Sequence, residues 1–200
     1  LVKAVALVET QQGEDTTTQG PRKMLVMEKV EAAKPLGMRP NFKSVLRCRY
    51  SASLAFTPYQ VLKIARSLAS GLEYQHHNGI CNGDVYSHNI LIKADATAIM
   101  CDFGASFFYA RDRSKAGYNP LEQQEVRSYG LLIHDLVTRI QRDGAHDSTL
   151  SGRLKKWLLG HVEVTTQPDM KLRPTFMEIK KQLSESEWPF DDSMNDDITF

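Results

Sequence analysis

Between Thr57 and Gly79 the chain carries a helix whose two ends are both marked. Thr57-Pro58-Tyr59-Gln60 has the form of a capping box with proline in the first turn. Val61, Ala65, Leu68 and Leu72 follow at intervals of four, three and four, which makes a single apolar stripe. Gly79 supplies the stop. A helix with one buried face must be covered by other elements, and the sequence downstream provides them. A second stripe of Val126, Tyr129, Ile133, Leu136 and Ile140 predicts a helix over 124–141. Residues 151–160 form a shorter one around Leu154, Trp157 and Leu158, and a last one starts at Pro174 with Phe176, Ile179 and Leu183. Short apolar runs with β-branched members at 4–9, 24–30, 90–92 and 98–100 read as strands. Residues 31–56 show no clear period and read as a long connection with room for one helical turn. The expected fold class is α+β, mainly helical, with small β pieces before residue 104.

Charge and cysteine content narrow the class of function. The net charge of +1 gives no overall field for nucleic acid or an anionic membrane, and no nucleic-acid partner is expected. The charge is uneven, with eight Lys/Arg against two Glu over 22–49 and six Asp/Glu without a Lys or Arg over 184–200. Such runs read as a solvated basic stretch and an acidic, disordered tail. No apolar run reaches the roughly 18–20 residues of a membrane helix, and Leu1–Val8 lacks the basic start and cleavage site of a signal peptide. Cys48, Cys81 and Cys101 are three cysteines without paired spacing, which points to a reducing, cytoplasmic setting. His76, His77, His88 and Cys81 do not match a zinc spacing, and the two histidines closing the first helix read as cap and surface. A first residue other than Met raises the expectation that the chain continues upstream.

The chemistry concentrates in Cys81-Asn82-Gly83-Asp84-Val85-Tyr86-Ser87-His88-Asn89-Ile90-Leu91 and in Asp102-Phe103-Gly104. Asp84 is followed five residues later by Asn89, and Asp102 comes thirteen residues after that, at the end of a strand. An amide oxygen and a carboxylate are ligands that a hard divalent cation prefers. A second carboxylate on the preceding loop could orient an acceptor hydroxyl and take its proton. Asp and Asn in a loop also serve as plain turn caps.

These residues resemble the protein kinase superfamily, whose template is His-Arg-Asp-Leu-x-x-x-Asn followed by Asp-Phe-Gly. The resemblance implies a kinase-like fold with a mainly helical C-lobe, a few N-lobe strands and an incomplete N-lobe. It divides the chain into the end of the N-lobe with the hinge at 1–30, the C-lobe at 31–183 and the tail at 184–200. It implies ATP and Mg²⁺ as cofactors, a protein hydroxyl as acceptor, Asp84 as catalytic base with Asn89 beside it, and Asn89 and Asp102 as metal ligands. Met27 would be the gatekeeper, backbone groups of Glu28 and Val30 would meet the adenine edge, and Leu91 would form the floor beneath it. Glu125-Val126-Arg127-Ser128-Tyr129-Gly130 is similar to the family's Asp-x-Trp-Ser-x-Gly, and Arg173-Pro174 to its late Arg-Pro pair, with Glu122 or Glu125 as candidate partners of Arg173.

The departures keep two alternatives open. No glycine-rich loop or strand lysine is present, so those elements lie upstream of Leu1 or the protein lacks them. Asn82, Gly83 and Tyr86 stand where the family has His, Arg and Lys, and only 22 residues separate Asp102 from Glu125. A pseudokinase scaffold without turnover fits those changes. The Gly83-Asp84 pair also resembles small-molecule kinases of the aminoglycoside and choline type.

Overall fold

A computed structural model of the chain describes residues 1–9, 23–43, 48–109, 119–141 and 150–185, with the single positions 188 and 198. Its centre is α1, Pro58–His77, which opens as its sequence demands. Thr57 Oγ1 accepts the Gln60 N–H and Gln60 Oε1 accepts the Thr57 N–H at 2.7 Å. Val61, Ala65, Leu68 and Leu72 are completely buried. Packed around it are α2 (Pro120–Val137), α3 (Leu150–Thr165) and α4 (Phe176–Glu185). Tyr129, Ile133, Leu154, Leu158, Phe176 and Ile179 fill the space between. Among the described residues no helix is long and apolar enough to cross a membrane.

Among the described residues three small sheets complete the fold. Strands β1 (Ala4–Glu9) and β2 (Lys23–Met27) form an antiparallel pair running from Ala4 opposite Met27 to Glu9 opposite Lys23. β3 (Ala33–Pro35), β5 (Ile90–Lys93) and β6 (Ala98–Met100) form a sheet ordered β3-β5-β6, with Leu91 between Pro35 and Ile99. β4 (Ile80–Cys81) pairs with β7 (Phe107–Phe108).

Several boundaries differ from the sequence reading. The stretch 31–56 holds no helical turn among its described residues. It contributes β3 and isolated bridges from Met38 to Arg49 and from Phe56 to Ile140. α2 starts at Pro120, not 124, because Asn119 caps it by accepting the Leu121 N–H at 2.9 Å. α3 runs on to Thr165, with His161, Val162 and Thr165 buried on its inner face. α4 begins at Phe176, two residues after Pro174, and Thr175 and Glu178 bond reciprocally at its start. Most of 184–200 lies outside the described residues; Trp188 packs on Trp157, and Ile198 is buried with its N–H on the Ala94 carbonyl.

Candidate active site

The loop from Asn82 to Asn89 joins β4 to β5 and is held from both sides. Asp84 N–H donates to Asn82 Oδ1 at 3.1 Å, Tyr86 N–H to the Asp84 carbonyl, and Asn89 N–H to the Tyr86 carbonyl. Ser87–Asn89 is a single 3₁₀ turn. The Asn89 side-chain amide donates to Asp84 twice, to Oδ2 at 2.7 Å and to the carbonyl at 3.1 Å. With its nitrogen committed, Asn89 keeps its amide oxygen as the remaining donor atom for a cation.

Asp102 joins this group through the backbone. Cys101 N–H and Cys101 Sγ both bond the Asn89 carbonyl, at 2.9 and 3.1 Å, so the residue before Asp102 is fastened to Asn89. Asp102 itself is exposed and sits at φ 60°, a left-handed conformation that costs a non-glycine residue energy and is concentrated at functional sites. Its Oδ1 accepts the Gly104 N–H at 3.1 Å, which leaves the second oxygen. Amide and carboxylate oxygens form the hard donor set that Mg²⁺ takes.

Gly83 explains why arginine is absent from its position. It has φ 78°, and a Cβ there would stand 2.5 Å from the Ala105 carbonyl oxygen. The loop therefore lies directly against the segment after Asp102, and Ser106 Oγ–H donates to the Asn82 carbonyl at 3.0 Å. Gly37 makes a second close approach: its N–H donates to the Ser87 carbonyl, and a Cβ would meet Ser87 Oγ at 1.9 Å. Cys48 Sγ accepts the Ser87 N–H at 3.3 Å. A cavity of about 540 Å³ opens between this loop and α2, lined by Cys48, Val85, Tyr86, Leu131, Asp135 and Arg139 among others.

Beneath the loop lies a buried polar cluster that chain order conceals. Glu125 Oε1 accepts the Gly83 N–H at 2.6 Å, and Glu125 Oε2 bonds His76 Nε2 at 2.6 Å. His76 is 3% exposed, which corrects its reading as a surface cap residue. The Tyr109 hydroxyl donates to Glu122 Oε1. Burial, with Glu125 and Glu122 adding to it, pushes the Cys81 thiol up to about 12. Arg173 directs three donors to the carbonyls of Gln167, Gln123 and Pro168. Nothing in the spacing of the chain flags the pairing of His76 with Glu125, which stand 49 residues apart.

The residues expected on the adenine side are spread over the end of β2, the stretch that follows it and β5. Met27 ends β2 with its side chain exposed, and the Glu28 N–H donates to the Lys3 carbonyl at 2.8 Å. Val30 leads through a turn into β3, which pairs with β5 at Leu91. The Val2 N–H donates to the Met100 carbonyl, which ties the first strand pair to the strand before Asp102. Among the described residues no hydrogen bond joins Met27, Glu28 or Val30 to Asp84, Asn89 or Asp102.

A family model for the protein kinase domain matches residues 12–129, more than half of the chain. The chain belongs to the protein kinase domain family. Its similarity to individual kinases is spread widely. The chain is 30% identical over 160 residues to the human dual specificity testis-specific protein kinase 2, covering 62% of this chain and 28% of that one. It is 32% identical over 100 residues to the serine/threonine-protein kinase PknB of Mycobacterium leprae, covering 50% and 14%. A third relative is the serine/threonine-protein kinase US3 homolog of varicella-zoster virus, at 33% over 69 residues, covering 34% and 18%. This kinase domain chain thus spans under a third of the length of these relatives. The match reaches through α1, the Asp84 loop and Asp-Phe-Gly into α2 of the kinase domain.

Proposed function

We propose that this protein transfers the γ-phosphoryl group of ATP to a hydroxyl on a protein substrate. Asp84 is the base. As the acceptor oxygen bonds to the γ-phosphorus and the bond to the ADP oxygen breaks, the hydroxyl proton passes to the Asp84 carboxylate. Asn89 orients that carboxylate through the 2.7 Å bond to Oδ2, which leaves Oδ1 for the acceptor. Asn89 Oδ1 and the Asp102 carboxylate would hold Mg²⁺, which supplies charge neutralisation on the phosphate oxygens. Met27, Glu28, Val30 and Leu91 are assigned to the adenine side, and the cavity beside Tyr86 to the approach of the acceptor.

The observation that carries this reading is the double hydrogen bond from Asn89 to Asp84, with Cys101 tying Asn89 to the residue before Asp102. The test is phosphate transfer from Mg²⁺-ATP to a generic protein acceptor by the full chain. Asp84→Asn is expected to lower kcat by about 10²–10⁴-fold while ATP still binds, and Asp102→Ala to weaken binding of the Mg²⁺-nucleotide. Full activity in Asp84→Asn would end the reading.

A scaffold without turnover is the second reading, favoured by Gly83 and Tyr86 in place of the family's basic residues. It predicts no transfer from the wild type and a nucleotide affinity indifferent to Asp102→Ala.

A further inference from the structure

We propose that Cys48 is a peroxide-reactive thiol, oxidised to a sulfenic acid whose oxygen is held by the hydroxyls of Tyr50 and Ser87. Around the bridge from Met38 to Arg49 the chain is extended, so Cys48 and Tyr50, two residues apart, face the same way. Cys48 Sγ accepts the Ser87 N–H at 3.3 Å, and the Tyr50 hydroxyl lies against both Cys48 and Ser87. Tyr50 is 8% exposed and Ser87 0%, and neither hydroxyl has a hydrogen-bond partner among the described residues. Burial, with Cys48 and Asp135 adding to it, raises the Tyr50 phenol well above its usual range, so it remains a donor. A buried donor left unpaired is costly, and two of them beside one sulfur call for an acceptor. An oxygen atom added to Cys48 is that acceptor.

Access comes from the cavity of about 540 Å³ beside the Asp84 loop, which the half-buried Cys48 lines together with Tyr86, Asp135 and Arg139. The Arg139 guanidinium stands 4.1 Å from the centre of the Tyr50 ring and braces it. In the reaction the Cys48 sulfur attacks one oxygen of a hydroperoxide. The S–O bond forms as the O–O bond breaks, sulfur gives up two electrons, and the thiol proton leaves with the second oxygen as water or alcohol. Two equivalents of a solute thiol restore the cysteine through a mixed disulfide, with release of water. The other two cysteines lack this setting. Cys81 is 2% exposed, and burial, with Glu125 adding to it, pushes its thiol up to about 12. Cys101 commits its Sγ–H to the Asn89 carbonyl, and burial, with Asp102 adding to it, raises its thiol as well. A water bridging the two hydroxyls is the rival occupant that the test must exclude. The site stands whether or not Asp84 acts as a base.

The experiment treats the reduced full chain with hydrogen peroxide in the presence of dimedone, which traps sulfenic acids, and maps the labelled peptides by mass spectrometry. Label is expected on Cys48, with Cys81 and Cys101 bare, whereas in urea all three should react alike. No label on Cys48 in the folded protein, or label on Cys101 at the same rate, overturns the proposal. A second measurement removes the peroxide with catalase and adds dimedone after a delay, which reads the lifetime of the sulfenic acid. Tyr50→Phe and Ser87→Ala, each the loss of one unpartnered hydroxyl, should shorten that lifetime by about tenfold, the worth of one hydrogen bond to the added oxygen. A shortened lifetime in either variant supports the site. A lifetime unchanged in both means that the hydroxyls serve a water instead, and overturns it. Should one variant not fold, the other decides. Neither readout involves nucleotide, so failure here is distinct from failure of phosphotransfer.

Discussion

At the scale of single residues, the chemistry of the loop rests on two glycines and one strained aspartate. Gly83 is required by its backbone and not only tolerated, since φ 78° and the Ala105 carbonyl at 2.5 Å leave a side chain no room. Gly83→Ala is therefore expected to destabilise the protein by about 1–3 kcal/mol, read as a lowered urea midpoint, and to depress phosphate transfer further by displacing Asp84. An unchanged midpoint would mean that the loop relaxes freely. Gly83 stands where the family template has arginine, and its N–H is pinned by Glu125 from below. Of these relations, the sequence made Asp84, Asn89 and Asp102 legible because their spacing follows the family template. It could not reveal His76 with Glu125, or Gly37 with Ser87, because those contacts exist only after α1, α2 and β3 have been brought together.

Among the elements, α1 was readable to the residue at its start because cap and stripe coincide. The start of α2 was not, because its first turns bury Glu122 and Gln123, polar residues that break no rule but belong to no stripe. β3, β4 and β7 are two or three residues long, too short for an alternation to register, and β3 ends in proline. The interface of α2 with α3 contains a further buried group, His161, hydrogen-bonded to the Tyr129 hydroxyl at 3.1 Å and stacked on Trp157. Burial lowers its pKa to about 4 from 6.5, with Gln182 acting weakly in the opposite direction. The ring is neutral in the fold, so below pH 6.5 the unfolded chain binds the extra proton and stability declines. The loss grows as pH falls from 6.5 toward 4, reaching up to about 3 kcal/mol, and adds nothing below that. Denaturation profiles should show this slope in the wild type and a flatter one in His161→Gln. Equal slopes would remove His161 as the cause.

On the scale of the whole molecule, the helical body is well packed while the first strand pair is bare. Val5 and Leu7 are each 62% exposed and Leu25 is 54% exposed, and every residue of β1 is open to solvent. A lone two-stranded ribbon is marginal in water, and exposed apolar edges invite self-association. The 200-residue chain should scatter light increasingly with concentration, and Leu7→Lys with Leu25→Glu should suppress this while leaving the melting of the helical body in place. Scattering that persists in the double variant would locate the sticky surface elsewhere. A different part of the molecule is fastened tightly. β4 leads into the Asp84 loop, and its partner β7 follows Asp102; just beyond them, Tyr109 donates its N–H to the Gly79 carbonyl at 3.0 Å. These links act as a clasp that closes the stretch from Gly79 to Tyr109 into a loop of its own, with both acidic groups inside it. Moving Asp102 away from Asp84 would then require the clasp to open, an event that deuterium uptake at the amide of Tyr109 would time.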